Sequence, residues 1–142
     1  MKLKVFTDGG ARGNPGPAAV GFLIYENSNN QDKLLVKASK YIGKSTNNKA
    51  EYTALLSALR WILDNLGKKS IFEIEFFLDS QLVCHQLNGL YKIKDKQLEN
   101  LVAKIRFLEK QLNTNIRYTH IPRIQNKDAD LLVNQALDSA ES

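Results

Sequence analysis

The chain has 142 residues, 43% of them hydrophobic, enough for one domain over residues 1–142 that buries a core without disulfides or metal staples. One cysteine, Cys84, and two histidines exclude a disulfide framework and leave almost no room for zinc on nitrogen and sulfur, so any metal must sit on oxygen. Lys and Arg outnumber Asp and Glu by 20 to 15, which suits a polyanionic partner, and with no apolar leader after Met1 the expectation is a soluble, cytoplasmic protein without membrane association.

Leu3, Val5 and Thr7 alternate with Lys2, Lys4 and Phe6, predicting a strand that ends at Asp8. The glycine-rich stretch that follows, through Gly9, Gly10, Gly13 and Gly16, lets another group approach the main chain beside that carboxylate. A P-loop is excluded by the missing Gly-Lys-Ser/Thr ending, and a dinucleotide fingerprint by the strand that comes next. A wide turn with an ordinary surface aspartate is the plain alternative. Residues 18–26 read as a second strand, 27–32 as a polar hairpin connection and 33–42 as a third strand. Together they make an antiparallel meander, with Gly21 as a bulge or a point of close backbone approach.

Tyr52, Leu55, Leu56, Leu59, Ile62, Leu63 and Leu66 recur at intervals of three and four, predicting a four-turn amphipathic helix closed by Gly67. At its start Asn48 and Glu51 have the spacing of a capping box, which would account for Glu51. Yet Glu51 lies on the shoulder of the apolar stripe and leans towards the domain. Residues 70–78 form a fourth strand running into Asp79, and Ser80 caps a short helix with Leu82, Val83 and Leu87. The loop at 88–96 carries Lys92, Lys94 and Lys96, either solvated surface or a phosphate contact. Leu98, Leu101, Val102, Ile105, Leu108 and Leu112 give another helix, and residues 114–121 a fifth strand with His120 near its end. Asn126 is the expected cap of a last helix, with Ala129, Leu132, Val133 and Ala136 inward and Asp130 in its first turn.

Three meandering strands followed by alternating helices and strands allow the first, fourth and fifth strands to lie parallel, in an α/β fold. Ligands in such sheets bind beyond the carboxyl ends of the parallel strands. Asp8 and Asp79 sit at such ends, and Glu51 and Asp130 begin helices returning towards the sheet. Capping or dipole placement explains each acid singly; it does not explain four that converge. Packed together without cations they would repel and take up protons. Hard oxygen ligands point to Mg²⁺, with Mn²⁺ as a substitute, and two such ions about 4 Å apart form the clamp used for in-line displacement at phosphorus.

These segments resemble type 1 ribonuclease H: Thr7 to Pro17, Ser45 to Glu51, Asp79 to Gln81, and His120 to Arg123 with Asn126 to Asp130. The four motifs stand in the family's order and span nearly the whole chain. The resemblance implies a ribonuclease H-like fold, a five-stranded mixed sheet flanked by helices on both faces, acting as a monomer on RNA–DNA hybrids. It implies cleavage of the RNA strand to 5′-phosphate and 3′-hydroxyl ends, with Asp8, Glu51, Asp79 and Asp130 as metal-binding catalytic residues. His120 falls at the family's loop histidine, tied to product or metal release. Thr46 and Asn47 match a phosphate pocket, and Asn14, Asn48 and Gln81 match substrate contacts; the glycine stretch, with Gly9 and Gly10, offers backbone amides to the same substrate. The basic, tryptophan-rich protrusion of many bacterial members is missing, and the sole tryptophan, Trp61, is inside the long helix. Hybrid affinity would then either be lower or rest on other basic residues such as Arg12, Lys49 and Arg123. A nuclease that also cuts double-stranded RNA and a non-catalytic hybrid-binding module are the alternatives.

Overall fold

In the computed structural model, which describes residues 1–141, strands β1 (Lys2–Ala11), β2 (Gly16–Ser28) and β3 (Gln31–Ser45) form the antiparallel meander. Strands β4 (Glu73–Leu78) and β5 (Asn115–His120) run parallel to β1. The order across the sheet is β3-β2-β1-β4-β5, so central β1 has an antiparallel neighbour on one side and a parallel one on the other. Its two ladders end at different places. Pairing with β4 stops at Phe6–Phe77, while pairing with β2 continues through Asp8–Gly21 to Ala11–Ala18. Asp8 is therefore not the end of its strand, as the composition suggested, but lies just past the point where β1 and β4 part. The β2–β3 turn is tighter than the six-residue connection expected. Asn29 and Asn30 take φ of 55° and 62°, the left-handed pair that suits a two-residue hairpin.

Helices α1 (Asn47–Leu66), α2 (Gln81–Leu87) and α3 (Lys96–Leu112) pack on one face of the sheet, and α4 (Lys127–Glu141) packs on the other against β1, β2 and β3. On the first face Leu3, Val5, Phe22, Ile24, Ile74 and Phe76 meet Tyr52, Leu55, Leu59 and Ile62 of α1 and Ile105 of α3. This burial supplies most of the driving force for folding. The α4 face is thinner, with Ala19, Val133 and Leu137 as its buried cluster. Gly21 serves close approach and not a bulge: a Cβ there would lie 2.8 Å from Leu132 Cβ and 3.0 Å from the Ala129 carbonyl oxygen. The register breaks of β2 and β3 fall instead at Ala18/Ala19 and Ile24/Tyr25.

Two caps differ from the sequence reading. Thr46, not Asn48, caps α1, its hydroxyl accepting from the Lys49 N–H at 3.3 Å, so Glu51 is not part of a capping box. Before α4 comes a 3-10 turn, Arg123–Asn126, and the Asn126 side chain is used elsewhere. Ser80 caps α2 as expected. Asp95 caps α3 through the Gln97 and Leu98 N–H groups, drawing Lys96 out of the loop into the first turn.

Candidate active site

The cleft forms where β1 and β4 separate. Gly9 explains how α1 reaches it, because a Cβ at this position would lie 2.2 Å from the carbonyl carbon and oxygen of Ala50 and 2.6 Å from the Glu51 nitrogen. With no side chain at Gly9, the β1 backbone presses directly on the first turn of α1 and sets Glu51 beside Asp8. Asn47 fastens the same junction. Its Oδ1 accepts from the Ala11 N–H at 2.9 Å, and its own N–H donates to Asn14 Oδ1 at 3.0 Å.

Asp79 follows the last residue of β4, and its oxygen meets those of Asp8 and Glu51, the three ligand atoms lying within 4.8 Å of one another. Asp130, in the first turn of α4, lines the same cleft of about 400 Å³ but stands outside that three-carboxylate group. Asn134 Nδ2 donates to the Asp130 backbone carbonyl at 3.1 Å and to its Oδ2 at 3.4 Å. Asp8 is 6% and Glu51 9% exposed, and the crowding is costly. Burial first, then the charge of Asp79, pushes the Asp8 carboxyl up to about 7. Burial and then the Asp8 charge drive Glu51 well above the usual carboxylate range, opposed only in part by a hydrogen bond from Gly9. An all-oxygen donor set that repels itself in this way fits a hard divalent cation.

The other expected contacts divide. Gly9, Gly10, Asn47 and Asn48 line the cleft. Asn14 and Thr46 act one step back, as partner to Asn47 and as cap of α1. Gln81, first residue of α2, is exposed outside the lining. His120 is the final residue of β5, opposite Leu78, and is likewise exposed and outside the lining. The strand stops there, with Ile121 and Pro122 following.

Two arginines enter the lining, Arg12 and Arg123, both among the basic residues on which the sequence reading would rest hybrid affinity. Arg12 donates to Glu141 at 2.8 Å and Asp138 at 2.7 Å, joining the rim to the end of α4. Asn126, expected as a helix cap, turns into the site instead. It is 1% exposed, and its amide reaches Thr7 and Asp79. An asparagine before a helical stripe reads as a cap, and no local pattern marks one that turns inward.

Known proteins share this architecture. A sequence profile of the reverse transcriptase-like family matches residues 6–136. Ribonuclease HI of Halobacterium salinarum is 37% identical over 139 residues, covering 98% of this chain and 66% of that protein. A bifunctional protein of Mycobacterium tuberculosis is 36% identical over 140 residues, covering 99% of this chain. The chain spans 36% of the length of that protein and of the other first curated relatives it matches. Among solved structures, LC11-RNase H1 in complex with an RNA/DNA hybrid is 42% identical with a TM-score of 0.91, covering 99% of both chains. With sequence match and overall fold in agreement, the chain belongs to the reverse transcriptase-like family, among the type 1 ribonucleases H.

Proposed function

We propose that the protein is an endonuclease that hydrolyses the RNA strand of RNA–DNA hybrids, leaving 5′-phosphate and 3′-hydroxyl ends, with two divalent cations in the cleft. The observation that carries this reading is the meeting of Asp8, Glu51 and Asp79 within 4.8 Å, with Asp130 lining the same cleft. LC11-RNase H1, solved with a hybrid, is 42% identical over nearly its whole length. Mg²⁺ suits the oxygen-only donors best, with Mn²⁺ as a substitute.

Asp8, Glu51 and Asp79 would hold the cations, with Asp130 as a further ligand. When bound, such ions activate water and neutralise charge building on the phosphate and the leaving oxygen. The surrounding side chains position the substrate. Arg123 places positive charge at the lining of an acidic cleft, where a phosphodiester backbone has to pass, while the Arg12 guanidinium is already paired with Asp138 and Glu141. Asn48 presents an amide in the lining, able to donate or accept at a ribose 2′-hydroxyl, the group that separates RNA from DNA. Thr46 and Asn47 fix the start of α1, and the positive end of the helix dipole there favours an anion such as a DNA-strand phosphate. Gly10, Asn14 and Gln81 flank this path. His120, exposed at the carboxyl end of β5, would serve in release of product or metal.

The test is a cleavage assay on hybrid, duplex RNA and duplex DNA, each with Mg²⁺ or with chelator. Hybrid cleavage that requires the cation is expected, and Asp79→Asn should lower its rate by on the order of 10³-fold or more while leaving the fold intact. Equal cleavage of duplex RNA would replace this reading with a broader nuclease. Hybrid binding without cleavage would replace it with a binding module.

A further inference from the structure

Where β1 and β4 part, one buried side chain spans the gap. Asn126 Nδ2 donates to the Thr7 carbonyl at 2.8 Å and to Asp79 Oδ2 at 3.2 Å. Both acceptors lie just beyond the last β1–β4 pair, Phe6–Phe77, and Thr7 directly precedes Asp8. The same residue closes the 3-10 turn that leads into α4 and Asp130. A carbonyl oxygen and a carboxylate can only accept, so the amide nitrogen, and not the amide oxygen, has to face them. Its Oδ1 is buried without a partner, so the side chain gives up one of its own hydrogen bonds to hold this position.

We infer that Asn126 is a positioning residue for the metal site: by occupying Asp79 Oδ2 it presents the other carboxylate oxygen to the cleft, and by holding Thr7 it fixes the spacing between Asp8 and Asp79. Partners of this kind set the orientation of a ligating carboxylate, and their loss typically costs metal affinity roughly 10- to 100-fold. The inference rests on the proposed cation site, so its test measures cation binding separately from cleavage.

Mn²⁺ is titrated into the full chain without nucleic acid, followed by water-proton relaxation, for the unaltered protein, Asn126→Ala, Asp79→Asn and the double variant. Circular dichroism and melting temperature are recorded for each. Mn²⁺ affinity should fall at least about tenfold in Asn126→Ala, while in the Asp79→Asn background the same change should cost clearly less, because the share of its effect that passes through the Asp79 carboxylate is already gone and only the Thr7 contact remains to be lost. A role confined to packing would lower the melting temperature equally in both backgrounds and leave Mn²⁺ affinity in place, overturning the inference. If Asn126→Ala does not fold, Asn126→Leu, which fills similar space without a donor, takes its place under the same criteria. Failure of the unaltered protein to bind Mn²⁺ would overturn the cation reading and this inference with it, whereas equal binding by a folded Asn126 variant would overturn this inference alone.

Discussion

Asp8 and Glu51 are held where water would not leave them. A carboxyl with a higher pKa in the folded than in the unfolded protein binds its extra proton in the folded state. For Asp8 the shift runs from 3.8 to about 7. Its stabilising contribution is therefore complete below the lower value and is lost as pH rises through the upper one. The metal-free protein should melt at a lower temperature near pH 8 than near pH 5, and Mg²⁺ should raise the melting temperature more at the higher pH. A metal-free melting temperature that rose over this interval would contradict the account. By the same logic Glu51→Gln removes a carboxyl whose ionised form is poorly solvated. It should stabilise the metal-free protein by about 1 kcal/mol, roughly 3 °C in Tm, while abolishing hybrid cleavage, the usual opposition of site chemistry to stability. Thermal scans beside a cleavage assay check both halves.

At the level of the elements, α4 is the weakly held part. Its buried cluster is Ala19, Val133 and Leu137, whereas α1 stands in a core of twenty buried residues. The remaining ties include the Arg12 ion pairs, which solvent screening keeps weak. Native-state hydrogen exchange should show α4 amides opening before those of α1, and Gly21→Ala, which drives a methyl against Leu132 and Ala129, should widen that difference by about 1–3 kcal/mol. Equal protection in the two helices would argue against a separately opening α4. These elements were largely legible in the sequence, because Leu55, Leu59 and Ile62 keep the helical period and Leu3 and Val5 the strand period. Their ends were not. Asn48 and Asn126 look as good for caps as Thr46 does, and only the packed structure decides which side chain turns outward to the helix and which turns in. The convergence of Asp8, Glu51 and Asp79 could be argued from topology alone, while Asn126 could not, since its partners lie across a gap between strands and leave no mark on spacing.

For the whole molecule, the charge is unevenly placed. The cleft gathers carboxylates although the formal net charge is +5, and Lys33, Lys37, Lys40 and Lys44 are exposed along edge strand β3. Lysines there deter strand addition and also offer counter-charge to a duplex. Hybrid binding by the cleavage-deficient Asp79→Asn variant should weaken at least about tenfold between low and physiological salt, as counterion release requires. Fluorescence anisotropy across a salt series measures this, and a flat series would remove backbone recognition from the account. The contact between Gly9 and the start of α1 reaches further than any of these charges. Since the obstruction to a larger residue is main chain, no exchange elsewhere on the helix can make room for it, and any displacement that did would carry Glu51 away from Asp8. A saturation library at this codon, sorted once for soluble yield and once for turnover, should return glycine from both sorts, a position from which drift has no gradual path out.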